Sequence, residues 1–189
     1  EYYVDEVMYQ RALNAARNSG MRALNLSIGG TVYTQTEALL IRRLIDSGCT
    51  VVAAMGNEYL EGNPIEYPAA YPGVVSVGAI NETNHRAYFS NTGEHITITA
   101  PGDNIISTLP MKKSAYRDQT EYASWSGTSM ATPHVTAAAA LVQAKHPDLT
   151  PLEVTRLLKR TATKLPAMKK KAKTKEYGAG LLNLKAVLK

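Results

Sequence analysis

The chain alternates segments of helical apolar periodicity with short, uninterrupted apolar runs. Apolar residues recur at helical spacing over residues 4–16, and a second helix is predicted over residues 36–47. The predicted strands cover residues 22–28, 50–54, 74–80 and 96–100. Strands that are apolar throughout and separated by helices are typical of parallel βαβ crossovers covered on both faces. The pattern therefore predicts a doubly wound α/β fold with a mostly parallel sheet.

Two further helices are predicted in the second half of the chain. The first covers residues 128–145, and its middle is apolar on every side, which is typical of a helix enclosed by a core. The second begins at Thr150, where a capping threonine is followed by Pro151 and, two residues later, by Glu153. The polar stretch over residues 109–122 is predicted to be a loop or an irregular ribbon.

Length, charge and cysteine content narrow the class of protein. A chain of 189 residues suffices for one domain, and no run of 18 apolar residues predicts a membrane span. Six lysines between Lys164 and Lys175 more than account for the net charge of +5. We interpret them as a solvated loop, with a polyanion-binding or membrane-surface patch as the alternative. The single cysteine, Cys49, precedes an apolar strand, which indicates a buried and inert thiol.

The most specific motif surrounds Ser129, at the start of the long predicted helix. Residues 126–135 read Ser-Gly-Thr-Ser-Met-Ala-Thr-Pro-His-Val and are similar to the nucleophile signature of the subtilisin-like serine proteases, peptidase family S8. Supporting segments occur in family order at residues 25–30, 51–58, 67–72, 89–91, 100–102 and 177–180. The resemblance extends over residues 4–188. It implies that residues 1–189 are the C-terminal portion of a peptidase domain whose sheet is incomplete in this chain.

Ser129 and Asn57 are the catalytic candidates. Backbone N–H groups at a helix start are unpaired and carry partial positive charge, so they favour an oxyanion that forms beside Ser129. The local sequence alone equally fits a helix-capping serine. Asn57 follows the strand at 50–54 through Gly56, and the resemblance implies that its amide is a second oxyanion donor. A turn asparagine is the alternative for this position.

The resemblance also implies a substrate cleft between two extended segments. Its walls are Ser27, Ile28 and Gly29 on one side, and Ala54, Met55 and Gly56 on the other. Extended backbone of this kind pairs with a peptide as an added strand. Met55 is bulkier than the alanine common in the family, and we expect it to narrow the pocket for the P1 side chain.

Glu66 directly precedes Tyr67 and Pro68, a place that the family resemblance puts near the base of the P1 pocket. A carboxylate at this base favours a basic P1 side chain by charge pairing. The alternative is a solvated surface glutamate, because the loop over residues 59–65 is shorter than in familiar family members and shifts the register.

The Asp and His that such a serine needs are absent in their family contexts. Asp46-Ser47-Gly48 resembles an aspartate motif, but it ends a predicted helix, and no His-Gly-Thr occurs. His134 lies five residues beyond Ser129 on the same helix, rotated away from it, and is expected to pack in the core. We therefore expect the Asp and His in a missing N-terminal half. A truncated fragment, a nicked protease and a natural half-domain remain open.

The expected function is that of a serine endopeptidase that hydrolyses peptide bonds through an acyl-enzyme on Ser129. The 189-residue chain alone is expected to hydrolyse little, and a non-catalytic pseudoprotease or binding scaffold is the alternative. The expected partners are polypeptide substrates, the missing half and a propeptide, with no nucleic acid and no membrane. The resemblance also implies a secreted or extracytoplasmic location.

No cofactor is expected for the chemistry. The carbonyls of Ala69, Tyr71 and Val74 match positions that hold a structural calcium or sodium ion in the family. His95 and Thr97 stand where the accompanying carboxylates are common, so a cation site is unsupported by the sequence.

Overall fold

A computed structural model describes residues 4–113 and 120–189 of the chain. The helices are α1 (Glu6–Asn18), α2 (Gln35–Asp46), α3 (Thr128–Lys145), α4 (Pro151–Thr161) and α5 (Leu184–Val187). The strands are β1 (Ala23–Leu26), β2 (Thr50–Ala54), β3 (Val75–Ile80), β4 (Ile98–Pro101), β5 (Ile105–Thr108) and β6 (Tyr122–Trp125). The four strands predicted from apolar runs are found, as are the predicted helices. Every bound given for them above lies within two residues of the observed one.

The main sheet consists of β1, β2, β3 and β4 in that order, and every neighbouring pair is parallel. The register sets Leu24 opposite Val51 and Val77 opposite Ile98. Each crossover returns the chain to the same end of the sheet, so the carboxyl ends of the strands lie along one edge. This arrangement confirms the predicted α/β class with a parallel sheet.

Helices cover both faces of this sheet. On β2, Val51 and Ala53 belong to the core cluster that includes Ile41 of α2, whereas Val52 belongs to the cluster that includes Val135 of α3. Alternate side chains of a strand point to opposite faces, so the two clusters lie on either side of the sheet. The uninterrupted apolar sequence of β2 follows from this burial on both faces.

A short antiparallel ribbon lies outside the main sheet. Its strands β5 and β6 pair with Ile105 opposite Trp125, and Ile106 is 73% exposed. The region predicted as a loop or irregular ribbon, residues 109–122, therefore includes the first residue of β6. Strand β5, which pairs with β6, was not predicted. Because the ribbon exposes its apolar side chains, it lacks the inward-facing pattern that identifies a strand. Residues 114–119 of the predicted loop lie outside the described residues.

Helix α3 crosses the sheet but is not enclosed on every side. Val135 and Val142 are fully buried, whereas Leu141 is 47% exposed and His134 is exposed as well. The prediction of burial all around the helix is therefore wrong for the described structure. None of the helices within residues 4–113 and 120–189, α3 included, combines the length and hydropathy needed to cross a bilayer.

Candidate active site

Three polar side chains meet at the carboxyl edge of the sheet. Ser27 follows β1, Asn57 follows β2, and Ser129 is the second residue of α3. They line one cleft of about 360 Å³. The predicted site residues that line it are Ser27, Ile28, Gly29, Ala54, Gly56, Asn57, Glu66 and Ser129. Crevices at this edge are where α/β folds bind their ligands.

The Asn57 amide is oriented by hydrogen bonds to the start of α3. Its Oδ1 accepts from the Thr128 backbone N–H at 2.8 Å and from the Thr128 hydroxyl at 3.0 Å. With the oxygen held in this way, the Nδ2 amide points elsewhere. No described residue accepts a hydrogen bond from Asn57 Nδ2 or from the Ser129 backbone N–H. Both donors are therefore free to bind a developing negative charge.

The nucleophile candidate is tied directly to one wall of the cleft. Ser129 Oγ donates to the Ser27 carbonyl at 3.2 Å, and Ser27 Oγ donates to the Ser129 carbonyl at 2.8 Å. Ser129 is partly exposed. The hydroxyl is thus held at the cleft surface, where a substrate carbonyl can approach.

Glycines keep both walls close to the base of the cleft. Gly56 has φ = +101°, a backbone conformation in which a side chain is strained. A Cβ placed there would lie 2.2 Å from Glu66 Oε1, and one at Gly29 would lie 2.4 Å from Glu66 Oε2. The carboxyl group of Glu66 therefore fills the space between the two walls.

The side chain of Met55 lies in the core and not in the cleft. Its side chain is fully buried and packs in the cluster that contains Leu13 and Ile41, on the α1–α2 face of the sheet. Neighbouring residues of an extended segment point to opposite sides, and Ala54 takes the side that faces the cleft. The prediction that Met55 narrows the P1 pocket is therefore wrong.

Glu66 is only 7% exposed, so the interpretation as a solvated surface glutamate is also wrong. Asn91 Nδ2 donates to Glu66 Oε1 at 3.2 Å and lies 3.5 Å from Glu58 Oε2. Glu58 Oε2 also accepts from the Asn57 backbone N–H at 2.6 Å. Sequence reasoning missed Glu58 and Asn91, although Glu58 directly follows a candidate residue and Asn91 belongs to a supporting segment.

The two carboxyl groups titrate as a pair. Burial, followed by the hydrogen bond and the charge of Glu58, raises the pKa of Glu66 to about 8. The hydrogen bond from Glu66 lowers the pKa of Glu58, and the N–H of Asn57 acts in the same direction. Like charges this close resist double ionisation. At neutral pH the pair therefore holds one proton, which resides mainly on Glu66.

No histidine lines this cleft in the part of the chain that the structure describes. His134 is exposed and its Nδ1 lies 3.0 Å from the Met130 carbonyl, so the expectation that it packs in the core is wrong. His85 contacts the Thr83 hydroxyl, on a turn after β3. A general base for Ser129 is thus not supplied by the described residues.

His95 and Thr97, which stand at the position where the family often has carboxylates for a cation, do not fit calcium. The Thr97 hydroxyl lies 3.2 Å from Ser76 Oγ, and burial and the nearby Lys173 ammonium lower the pKa of His95. Calcium prefers carboxylate oxygens, and a neighbouring ammonium group opposes a second cation. Residues 4–113 and 120–189 hold no group of three or more His, Cys, Asp and Glu side chains that could bind a metal ion.

The lysine-rich segment and the cysteine lie away from the cleft. Lys164 Nζ donates to the Ala172 carbonyl at 2.6 Å, and Lys175 forms an exposed ion pair with Glu94 at 3.1 Å. Part of this segment is therefore tied to the domain surface. Cys49 is fully buried, and its burial raises the pKa of the thiol to about 11, as expected for an inert cysteine.

Comparisons with known proteins agree with this geometry. The family model described as "Subtilase family" matches residues 4–180. Subtilisin E of Bacillus subtilis (strain 168) is 39% identical over 173 residues, which are 90% of this chain and 42% of that protein. Subtilisin BL of Lederbergia lenta is 40% identical over 176 residues, or 93% of this chain and 60% of that protein. The chain thus spans about half the length of these relatives.

Solved structures share the fold. Fervidolysin from Fervidobacterium pennivorans, a keratinolytic enzyme related to subtilisin, superposes with a TM-score of 0.83 and 29% identity over 95% of this chain and 28% of that one. The prenylagaramide maturation protease PagA gives a TM-score of 0.80 and 27% identity over 98% of this chain and 68% of that one. By sequence and by fold, the chain belongs to the subtilase family.

Proposed function

We propose that the protein is a serine endopeptidase in which Ser129 attacks the substrate carbonyl and forms an acyl-enzyme. A general base takes the Ser129 proton during attack and returns it to the leaving amine. The Asn57 amide and the Ser129 backbone N–H bind the oxyanion of the tetrahedral intermediate. Water then hydrolyses the ester by the reverse sequence of proton transfers.

One observation supports this proposal: Asn57 and Ser129 line the same cleft, and neither the Asn57 Nδ2 amide nor the Ser129 backbone N–H has an acceptor among the described residues. A helix-capping serine would instead use its hydroxyl on the first turn of its own helix. Ser129 Oγ donates away from α3, to the Ser27 carbonyl. This geometry supports the proposed roles of Ser129 as nucleophile and of the two N–H groups as oxyanion donors.

We further propose that the His base and the Asp that orients it lie on a polypeptide outside residues 1–189, as an N-terminal half of the same domain. Two features favour such a partner. Strand β1 is at the end of the sheet order, so one of its edges has no neighbouring strand among the described residues. The exposed side of α3 forms an apolar groove of about 330 Å³, which includes Ala137, Leu141 and Leu184. Both surfaces gain stability when covered.

A non-catalytic peptide-binding scaffold is the second candidate. The specific observation in its favour is that no described histidine reaches the cleft. In that case the walls around Gly29 and Gly56 bind an extended peptide, and Ser129 only fixes the helix start. The two candidates differ in turnover and not in binding.

The test uses the full-length gene product and an internally quenched peptide library. We expect cleavage by the wild type, and we expect Ser129→Ala to lower kcat by about 10⁶-fold, as in this family when the nucleophile is removed. Ser126→Ala is a matched control, since Ser126 Oγ donates to Asp103 and lies outside the cleft. Peptide binding without turnover in the intact wild type would establish the scaffold instead.

Polypeptides are the proposed substrates, and the edges of both cleft walls supply the backbone groups for strand pairing. A propeptide that occupies the same cleft before maturation, and a location outside the cytoplasm, remain predictions from the resemblance. Fractionation of cells that express the full-length gene tests the location. Mass spectrometry of the exported product tests whether an N-terminal segment has been removed.

A further inference from the structure

We propose that Arg86 is a positioning residue of the active site, which holds the segment that carries Asn57 and so fixes the proposed oxyanion donor. This proposal rests on the function proposed above, because the group that Arg86 positions is assigned its role there. Arg86 does not line the cleft that contains Ser129. It therefore acts on the chemistry only through other residues, and a chain of contacts leads from it to Asn57.

Arg86 organises the turn over residues 87–90, which follows it directly. Its Nη1 atom donates to three of the four carbonyls of this turn, those of Ala87 at 3.0 Å, Tyr88 at 3.2 Å and Ser90 at 2.7 Å. No carboxylate among the described residues forms an ion pair with the guanidinium, so these carbonyls receive its charge. Hydrogen bonds from a charged donor are stronger than neutral ones, and without Arg86 the three carbonyls lose their shared donor.

The fourth carbonyl of the turn binds the segment that follows β2. The Phe89 carbonyl accepts from the Tyr59 N–H at 3.2 Å, and just beyond the turn the Asn91 N–H donates to the Gly56 carbonyl at 3.0 Å. These two backbone hydrogen bonds lie on either side of Asn57 in the chain. The turn therefore fixes the backbone of the proposed oxyanion donor from both sides.

The guanidinium of Arg86 also contacts this segment directly. Its Cζ atom lies 3.7 Å from the centroid of the Tyr59 ring, a cation–π contact. The backbone of Arg86 is anchored in turn, because its N–H donates to the Tyr177 hydroxyl at 3.1 Å and Tyr177 is buried in the cluster that contains Ile80. Arg86 thus connects a fixed point of the core to the segment that carries Asn57.

The first experiment measures steady-state kinetics of the full-length protein. A displacement of an active-site group by about 1 Å costs up to about 10²-fold in rate, and Thr128 still orients the Asn57 amide when Arg86 is lost. We therefore expect Arg86→Met to lower kcat by about 5- to 30-fold. KM should stay within about twofold, because the oxyanion forms only after attack. Arg86→Lys should recover part of kcat, since an ammonium group also donates to several carbonyls. Arg160→Met, a control at an exposed position of α4 outside the cleft, should leave kcat unchanged.

The Asn57→Leu background separates positioning from a general loss of structure. There Arg86→Met should lower kcat by less than about twofold, because the donor that it positions is already absent. A general loss of structure would lower kcat by the same factor in both backgrounds. Should Arg86→Met fail to fold, Tyr59→Leu, which removes the ring under the guanidinium, takes its place in both backgrounds. Unchanged kcat in the Asn57 protein, or equal factors in the two backgrounds, overturns the proposal.

Hydrogen exchange tests the same contacts without turnover. In full-length protein with Ser129→Ala, Arg86→Met should speed exchange of the Tyr59 and Asn91 amides by at least about tenfold and leave the amides of β2 unchanged. Unchanged exchange at both amides overturns the proposal. Faster exchange at both, in a protein whose wild type cleaves no peptide, supports the positioning of the segment by Arg86 and overturns only the peptidase activity.

Discussion

Ser27 Oγ donates a hydrogen bond to the Ser129 carbonyl at 2.8 Å, in the place of the backbone N–H that Pro133 lacks. In a regular α-helix the carbonyl of residue 129 accepts from the N–H of residue 133. Pro133, the sixth residue of α3, removes that donor and leaves the carbonyl open. The wall of the cleft thus supplies a hydrogen bond that the helix carrying the proposed nucleophile lacks.

This relationship predicts an energetic coupling between Ser27 and Pro133. Ser27→Ala should lower the free energy of unfolding by about 1–2 kcal/mol, because the Ser129 carbonyl loses its donor. Pro133→Ala restores the backbone N–H of residue 133. In that background, the loss of unfolding free energy caused by Ser27→Ala should be smaller by about 0.5–1.5 kcal/mol. Denaturant unfolding of the four variants, in full-length protein with Ser129→Ala to prevent self-digestion, measures this difference. Additive effects would show that Ser27 does not replace the missing donor.

Asn57 should act on the transition state and not on substrate binding. Asn57→Leu removes the free amide, and we expect kcat of the full-length enzyme to fall by about 10²–10³-fold, the range known for this donor in subtilisin. KM should change little, because the oxyanion forms only after attack. Steady-state kinetics on one neutral peptide separates the two constants. A rise in KM at unchanged kcat would assign Asn57 to ground-state binding.

Gly56 should be intolerant of a side chain for two separate reasons. Gly56→Ala places a Cβ in strained backbone and against Glu66 and Asn91, whereas Gly62→Ala, at φ = +103°, meets no atom within 4 Å. We expect Gly62→Ala to cost about 1–2 kcal/mol from backbone strain, and Gly56→Ala to cost at least about 2 kcal/mol more. Thermal unfolding of both variants in the Ser129→Ala background measures the difference. Equal losses would mean that Glu66 does not lie against Gly56.

The carboxyl pair predicts a pH-dependent stability. Burial raises the pKa of Glu66 to about 8, above its unfolded value of 4.5, so the fold favours the protonated form. The cost of ionisation is absent below pH 4.5 and grows as the pH rises through 8. Glu66→Gln mimics the protonated form at every pH. The unfolding free energy of this variant, minus that of the wild type, should therefore increase between pH 4.5 and 8, by no more than about 1.4 kcal/mol per pH unit. A difference that is flat with pH would contradict the shared proton.

The sequence allowed the sheet to be predicted well because β2 and β3 are buried on both faces and every residue in them is apolar or small. The same principle failed for β5 and β6, since a ribbon that exposes Ile106 carries no inward-facing pattern. Periodicity also overstated the burial of α3, because an apolar sequence does not reveal whether a neighbour is present to cover Leu141.

At the site, the motif around Ser129 and the segment around Asn57 located the residues that line the cleft. The motif did not reveal that Met55 turns into the core, which depends on the alternation of the extended segment after β2. Nor did it reveal that Glu58 and Glu66 form a hydrogen bond with each other, or that Asn91, 25 residues beyond Glu66 in the chain, contacts both carboxyl groups. Long-range contacts of this kind require the folded backbone.

The central claim is that Ser129 is an activated nucleophile beside two oxyanion donors. The most direct measurement is the reaction of the folded full-length protein with a fluorophosphonate, followed by mass spectrometric identification of the modified residue. We expect stoichiometric modification of Ser129, slower modification in Asn57→Leu and none in Ser129→Ala. Absence of reaction at Ser129 in the intact folded protein, or equal reaction after Ser129→Ala, would contradict the account.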